Sequence, residues 1–94
     1  MNITPLGVAL TGRRVVAVGG GPVAARRVSA FVDDGADVTV VAPQLCDGLA
    51  DLVAAGHITW AERRYAGPVD LAGAWLVHTA TGDASVDAAV AADA

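Results

Sequence analysis

The chain has 94 residues, ten Asp and Glu against six Arg, no Lys, one Cys and a formal net charge of −4 at pH 7. That length makes one small domain with a modest core. The acidic balance argues against a nucleic-acid partner, and the absence of Lys removes a P-loop lysine, a Schiff base and a lysine general base.

The lone Cys46 excludes an internal disulfide and a cysteine metal cluster; it reads as a small buried hydrophobe on the second helix. At 54% hydrophobic the chain is apolar, yet no run approaches the ~20 residues of a membrane span. Met1-Asn-Ile-Thr-Pro5 carries no basic region and no long apolar run, so no signal peptide is expected and the chain reads as cytoplasmic.

The first predicted strand is Val15 to Val18, and it runs directly into Gly19-Gly20-Gly21. Gly19, Gly21 and Ala24 fit the G-x-G-x-x-[G/A] spacing of a dinucleotide fold. Gly19 permits a sharp turn, Gly21 lets a pyrophosphate approach the backbone, and Ala24 allows close packing of helix on strand. Pro22 suits a first helical turn, and with Val23 it places free N–H groups and a partial positive charge at the phosphates. Ala24, Val28, Phe31 and Val32 form an apolar stripe at helical spacing, with Arg26, Arg27, Ser29 and Asp33 opposite. Gly35 is placed for a left-handed cap. Asp37 to Ala42 is the second strand, which completes one βαβ unit of about 30 residues. The plainer alternative is a βαβ unit that binds nothing, but three adjacent glycines weaken packing unless something must come close.

Leu45, Leu49, Leu52 and Val53 predict a second helix ending near Gly56. His57 to Trp60 reads as a third strand, and Glu62 to Leu71 as mostly irregular with a turn at Gly67-Pro68. Ala74 to Ala80 is nearly continuous and apolar, as expected of a parallel strand buried on both faces. Ser85 to Ala94 is helical in composition, capped by Asp83 or Ser85. The pattern gives an α/β, Rossmann-like doubly wound parallel sheet of about four strands, ordered 3-2-1-4.

A ligand should lie beyond the carboxyl ends of the strands. That gathers Gly19, Gly20, Gly21, Pro22, Val23, Ala42, Pro43, Gln44 and Thr81 as candidate cofactor-binding residues. The usual acid at the end of strand 2 is missing, since Ala42-Pro43 stands there. No Arg follows it to take a 2′-phosphate, so ribose contacts fall to main chain or Gln44, and NAD(H) is expected without a 2′-phosphate preference. Among the Arg pairs, Arg26-Arg27 is best placed to meet a phosphate or carboxylate; solvated edges are the expectation for Arg13-Arg14 and Arg63-Arg64. His57 reads as exposed, and His78 as a hydrogen-bonded core residue. Two isolated histidines make no metal site.

Val15 to Arg27 and Gly35 to Pro43 resemble the N-terminal domain of the sirohaem synthase family, which comprises precorrin-2 dehydrogenases and, often, sirohydrochlorin ferrochelatases. Pro5 and Leu10 match that family's lead-in. Asp70-Leu71, Trp75-Leu76-Val77 and Ala80-Thr81 match its fourth-strand block, with Gly82 where a further Asp is common and Asp87 where Asn is usual. The missing acid after strand 2 is normal for the family. The resemblance implies NAD⁺ as hydride acceptor and oxidation of precorrin-2, a tetrapyrrole, to sirohydrochlorin. It also implies iron insertion in some members and a homodimer at full length. It places the catalytic Asp, the dimerisation region and the helical substrate domain beyond Ala94. On that resemblance the sheet is incomplete at its C-terminus, and residues 1–94 are read as a partial NAD-binding domain with no catalytic residue of its own, binding nucleotide weakly and catalysing nothing alone. Asp83, Asp87 and Asp93 read as cap and helix-surface carboxylates. The alternatives are a nucleotide-sensing regulatory Rossmann module without catalysis and another Rossmann oxidoreductase. Both usually keep the strand-2 acid.

Overall fold

A computed structural model describes residues 11–81 and 84–93. Pro5, Leu10, Gly82 and Asp83 lie outside them, as does the side chain of Ser85. Four strands form one parallel sheet in the order β3-β2-β1-β4: β1 (Arg14–Val18), β2 (Asp37–Ala42), β3 (Thr59–Glu62) and β4 (Leu76–Thr79). Helices α1 (Pro22–Asp33), α2 (Asp47–Ala54) and α3 (Ala84–Asp93) connect or follow them, and a 3₁₀ turn spans Pro68–Leu71. The order is the one expected from the sequence.

β1 lies between β2 and β4, with Ala17 opposite both Val40 and His78. A strand so placed is covered on both faces, which is why Val15 to Val18 is uniformly apolar. Alternation divides the core in two. Val15 and Ala17 meet Ala24, Val28 and Phe31 of α1 and Leu49 of α2. Val16 and Val18 point the other way, with Val41, Leu71 and Val90 of α3.

The first helix follows its predicted stripe, with Ala24, Val28 and Phe31 buried and Val32 half-buried. It ends in a Schellman arrangement. Gly35 takes φ +84°, its N–H reaches Val32 O at 2.9 Å, and Ala36 N–H reaches Phe31 O at 3.0 Å. Only glycine takes such a φ without strain.

Several boundaries differ from expectation. β3 begins at Thr59, because His57 N–H is spent on Leu52 O (2.9 Å) in the cap of α2. His57 is exposed, as expected. In α2 only Leu49 is fully buried, while Leu45, Leu52 and Val53 pack at the core's margin. Cys46 is the half-buried N-cap residue of α2 rather than an interior one. β4 is short and half-buried throughout. Among the described residues it has β1 as its one strand neighbour, so its outer edge is not covered as a central strand's would be.

The 62–71 connection is more ordered than its composition suggests. Asp70 is 4% exposed. Its carboxylate pairs with Arg63 and accepts the Ala66 N–H at 2.7 Å, which winds the segment into the 3₁₀ turn. No helix among the described residues is long and apolar enough to cross a membrane.

Candidate functional site

The exits of β1, β2 and β4 are stitched together by main-chain hydrogen bonds. Gly19 N–H donates to Val41 O at 3.0 Å, Ala80 N–H to Val18 O at 2.9 Å, and Cys46 N–H to Gly20 O at 2.7 Å. Each glycine of the turn does a different job. Gly19 has φ +132°, and a Cβ there would collide with the Ala80 carbonyl. A Cβ on Gly20 would collide with the Gln44 carbonyl. Gly21 has an ordinary extended backbone, φ −94° and ψ −174°, and a Cβ on it would meet nothing within 4 Å. Two glycines let parts of the protein approach one another, and the third faces open space.

Gly21 is also the N-cap of α1, which has no side-chain cap and carries Pro22 in its first turn. The first helical bond runs from Ala25 N–H to Gly21 O, 2.9 Å. The N–H groups of Val23 and Ala24 therefore have no partner within the helix, and they sit at the positive end of its dipole.

A cleft of about 480 Å³ opens beside this turn. It is lined by Val18, Gly19 and Gly20 from β1, Val41, Ala42 and Pro43 from β2, Arg64 and Tyr65 after β3, and Thr81 and Val86 around the start of α3. Of the residues singled out from sequence, Gly19, Gly20, Ala42, Pro43 and Thr81 meet on its wall. Gly21, Pro22 and Val23 are at the adjoining helix N-terminus, and Gln44 packs by its carbonyl against Gly20.

The exit of β2 has little left to offer a ribose. Pro43 has no N–H, and the Ala42 carbonyl accepts a 2.8 Å hydrogen bond from Trp60 Nε1.

Arg64 is the residue that sequence reasoning missed. No Arg follows Pro43 in the chain, but parallel pairing puts Ala42 opposite Glu62, so β3 exits beside β2 and brings Arg64 onto the same wall. The expectation that no Arg lies near the end of strand 2 is thus corrected: the residue is remote in sequence and close in space. Arg26 and Arg27, the pair favoured from sequence, are exposed on α1 and do not line the cleft. Arg13 sits over the Trp75 ring, 5.3 Å from its centroid, at the strands' opposite end.

The carboxylates read as surface groups are engaged. Asp87 Oδ1 accepts from the hydroxyls of Thr79 and Thr81 and from the Thr81 N–H, binding α3 to the exit of β4. These bonds hold its carboxyl below the usual range. Asp93 Oδ2 accepts from Tyr65 Oη at 2.5 Å. Desolvation and that acidic partner push the Tyr65 phenol up to about 12, so it stays a proton donor.

His78 also departs from expectation. Its ring stands edge-on to Phe31, with centroids 6.1 Å apart, and Nε2 is buried without a hydrogen-bond partner among the described residues. Burial, then Arg27, lowers its pKa, so the ring is neutral at pH 7. No group of three His, Cys, Asp or Glu suited to a metal occurs among the described residues.

A parallel sheet in this order, with a glycine turn feeding a helix N-terminus and a cleft across the strand exits, defines a Rossmann-type dinucleotide-binding domain. Residues 6–94 match the family described as "Putative NAD(P)-binding", and the chain belongs to that family. It is 43% identical over 90 residues to siroheme synthase 3 of Aeromonas hydrophila, covering 96% of this chain and 19% of that protein. It is 44% identical over 94 residues to a siroheme synthase of Chromobacterium violaceum, covering 100% of this chain and 20% of that protein. The solved structure of SirC, a precorrin-2 dehydrogenase, matches with a TM-score of 0.81 and 35% identity, over 87% of this chain and 41% of that one. The chain thus spans about a fifth of the length of these curated relatives.

Proposed function

We propose that the chain is the NAD-binding domain of a precorrin-2 dehydrogenase, oxidising precorrin-2 to sirohydrochlorin in sirohaem biosynthesis. The observation that carries this reading is the Gly21 turn. Its Cβ direction is open while those of its neighbours are blocked, and it sits at an uncapped helix N-terminus beside the cleft. Likeness to siroheme synthases and to SirC supplies the reaction.

In this reading the N–H groups of Val23 and Ala24, with the Gly21 backbone, hold the pyrophosphate. Gln44 and the Pro43 rim flank the ribose. Thr81, fixed by Asp87, borders the β4 side. The nicotinamide, when bound, accepts a hydride from the substrate. Residues 1–94 form one domain, and the catalytic Asp, the dimer contacts and the tetrapyrrole groove belong to further parts of a homodimeric cytoplasmic enzyme.

The acidic surface fits that division. Precorrin-2 is a polycarboxylate, and ten acids against six Arg give it no general attraction. Calorimetric titration with NAD⁺ tests the cofactor half, and NADH formation from precorrin-2 tests the whole. Saturable NAD⁺ binding lost in Gly21→Val is expected; absence of NAD⁺ binding to the folded protein would refute the reading.

A further inference from the structure

His78 is a titratable side chain that the proposed cofactor site does not use. It lies in β4 opposite Ala17 of β1. Its half-buried ring packs against Phe31 of α1, 6.1 Å between centroids and 73° between planes. Phe31 is itself buried in the core beneath α1, with Val15, Ala17, Ala24 and Val28. The contact therefore joins β4, which has β1 as its one strand neighbour among the described residues, to the helix that starts beside the cleft.

The ring sits where a second proton is poorly received. A neutral imidazole carries one N–H and leaves its other nitrogen bare, whereas an imidazolium carries two. Nε2 is buried and has no hydrogen-bond partner among the described residues. As a bare nitrogen it forgoes one bond. As an N–H it would be a charged donor buried without an acceptor, which is the costlier state. The charged groups on the packed elements add to this asymmetry. Arg27 stands one turn before Phe31 on α1 and acts on the ring with like charge. Asp87 of α3 acts the other way but more weakly, and its Oδ1 is already engaged by Thr79 and Thr81. From β1 the ring meets Ala17, which carries no charge. Desolvation, then Arg27, hold the imidazole below its ordinary pKa of 6.5.

We propose that His78 is a proton-sensitive latch between β4 and α1, holding the helix on the sheet while its ring is neutral and loosening that contact when the ring is protonated. The latch does not depend on which ligand the cleft takes. Above pH 6.5 the ring is neutral in the folded and the unfolded chain and adds no pH dependence. As pH falls through 6.5 the unfolded chain takes up the proton first, and the fold loses stability until the folded ring is protonated as well. Asp87 titrates below 3.8, so the two groups act in separate windows.

The test is urea unfolding of the wild type, His78→Leu, Arg27→Gln and His57→Gln between about pH 7.5 and 5.5, with the imidazole C–H resonance of His78 followed by NMR over the same range. Wild type should lose stability toward the acid end, its folding equilibrium constant falling by up to about tenfold per pH unit, the limit for one proton. His78→Leu should be nearly flat across the window. Arg27→Gln should lose less than wild type. His57→Gln, which removes the exposed histidine, should keep the full loss. The NMR midpoint of His78 should lie below that of the same residue in the urea-unfolded chain, a measurement that needs no variant to fold. Equal pH slopes in wild type and His78→Leu would overturn the proposal, as would a His78 midpoint at or above that of the unfolded chain. Disappearance of the slope in His57→Gln would assign the acid sensitivity to that residue and overturn the latch equally.

Discussion

The two walls of the cleft are built by different means. The glycine wall is continuous chain, residues 19–24, held to β2 and β4 by main-chain bonds such as Gly19 N–H to Val41 O. The other wall takes Arg64 and Tyr65 from the 63–71 connection, which is held by side chains: Arg63 on Asp70, Ala66 N–H on Asp70, Tyr65 on Asp93. A main-chain wall depends on small residues at fixed spacing and fails when a Cβ is added. A side-chain wall depends on charges meeting across the fold and fails when one partner is removed. The first is rigid, and in the proposed function it is the wall that holds the pyrophosphate.

The sharpest way to break the comparison is at Gly19. Gly19→Ala puts a Cβ into the Ala80 carbonyl at φ +132°, combining backbone strain with overpacking. It should destabilise the domain by roughly 3 kcal/mol or more, read as a lower urea midpoint. Stability close to wild type would show that the stitching of the glycine wall is loose.

Gly21→Val should do the reverse, leaving the unfolding free energy within about 1 kcal/mol of wild type. NAD⁺ affinity should fall roughly a hundredfold or more, or about 2.7 kcal/mol. Its side chain enters the open space beside α1 while its φ of −94° suits any residue. A folded variant with unchanged affinity would move the pyrophosphate away from this turn.

Asp70→Ala probes the other wall. Losing a buried charged acceptor should cost about 2 kcal/mol, and the 3₁₀ turn should become protease-sensitive. Arg63 is half exposed, so the stranded cation is rehydrated and the loss stays moderate. NAD⁺ affinity should change less than about threefold, since the glycine wall is untouched. A large loss would show that the two walls act as one.

The smallest effect is at Asp87, where the walls meet α3. Its folded pKa is depressed, first by the Thr79 hydroxyl and then by Thr81. Its contribution is therefore present above the unfolded value of 3.8 and is lost as pH falls through the lower folded value. Asp87→Asn should lower stability modestly at pH 7, where the ionised carboxylate contributes fully, and converge with wild type in acid, so that the acid limb below about pH 4 flattens. An acid limb of unchanged slope would assign that limb to other carboxylates.

What the sequence determined by itself is the part of the protein fixed by neighbours along the chain. The βαβ unit, the stripe Ala24-Val28-Phe31, the cap at Gly35 and the sharp turn at Gly19 all follow from 3.6- and two-residue periodicity and from where a Cβ is tolerated. Even the strand order followed, because short right-handed crossovers leave few choices. Tertiary structure decided what depends on groups far apart in the chain. It buried Asp70 against Arg63, engaged Asp87 and Asp93 that read as surface acids, left His78 Nε2 without a partner among the described residues, and set Gly20 against the Gln44 carbonyl. Above all it carried Arg64 to the cleft, more than twenty residues after Ala42. Charges have no period, and the pairing of β2 with β3 becomes visible only when the sheet is closed. The glycine side of the cleft was therefore legible in the sequence, and the side that carries Arg64 was not.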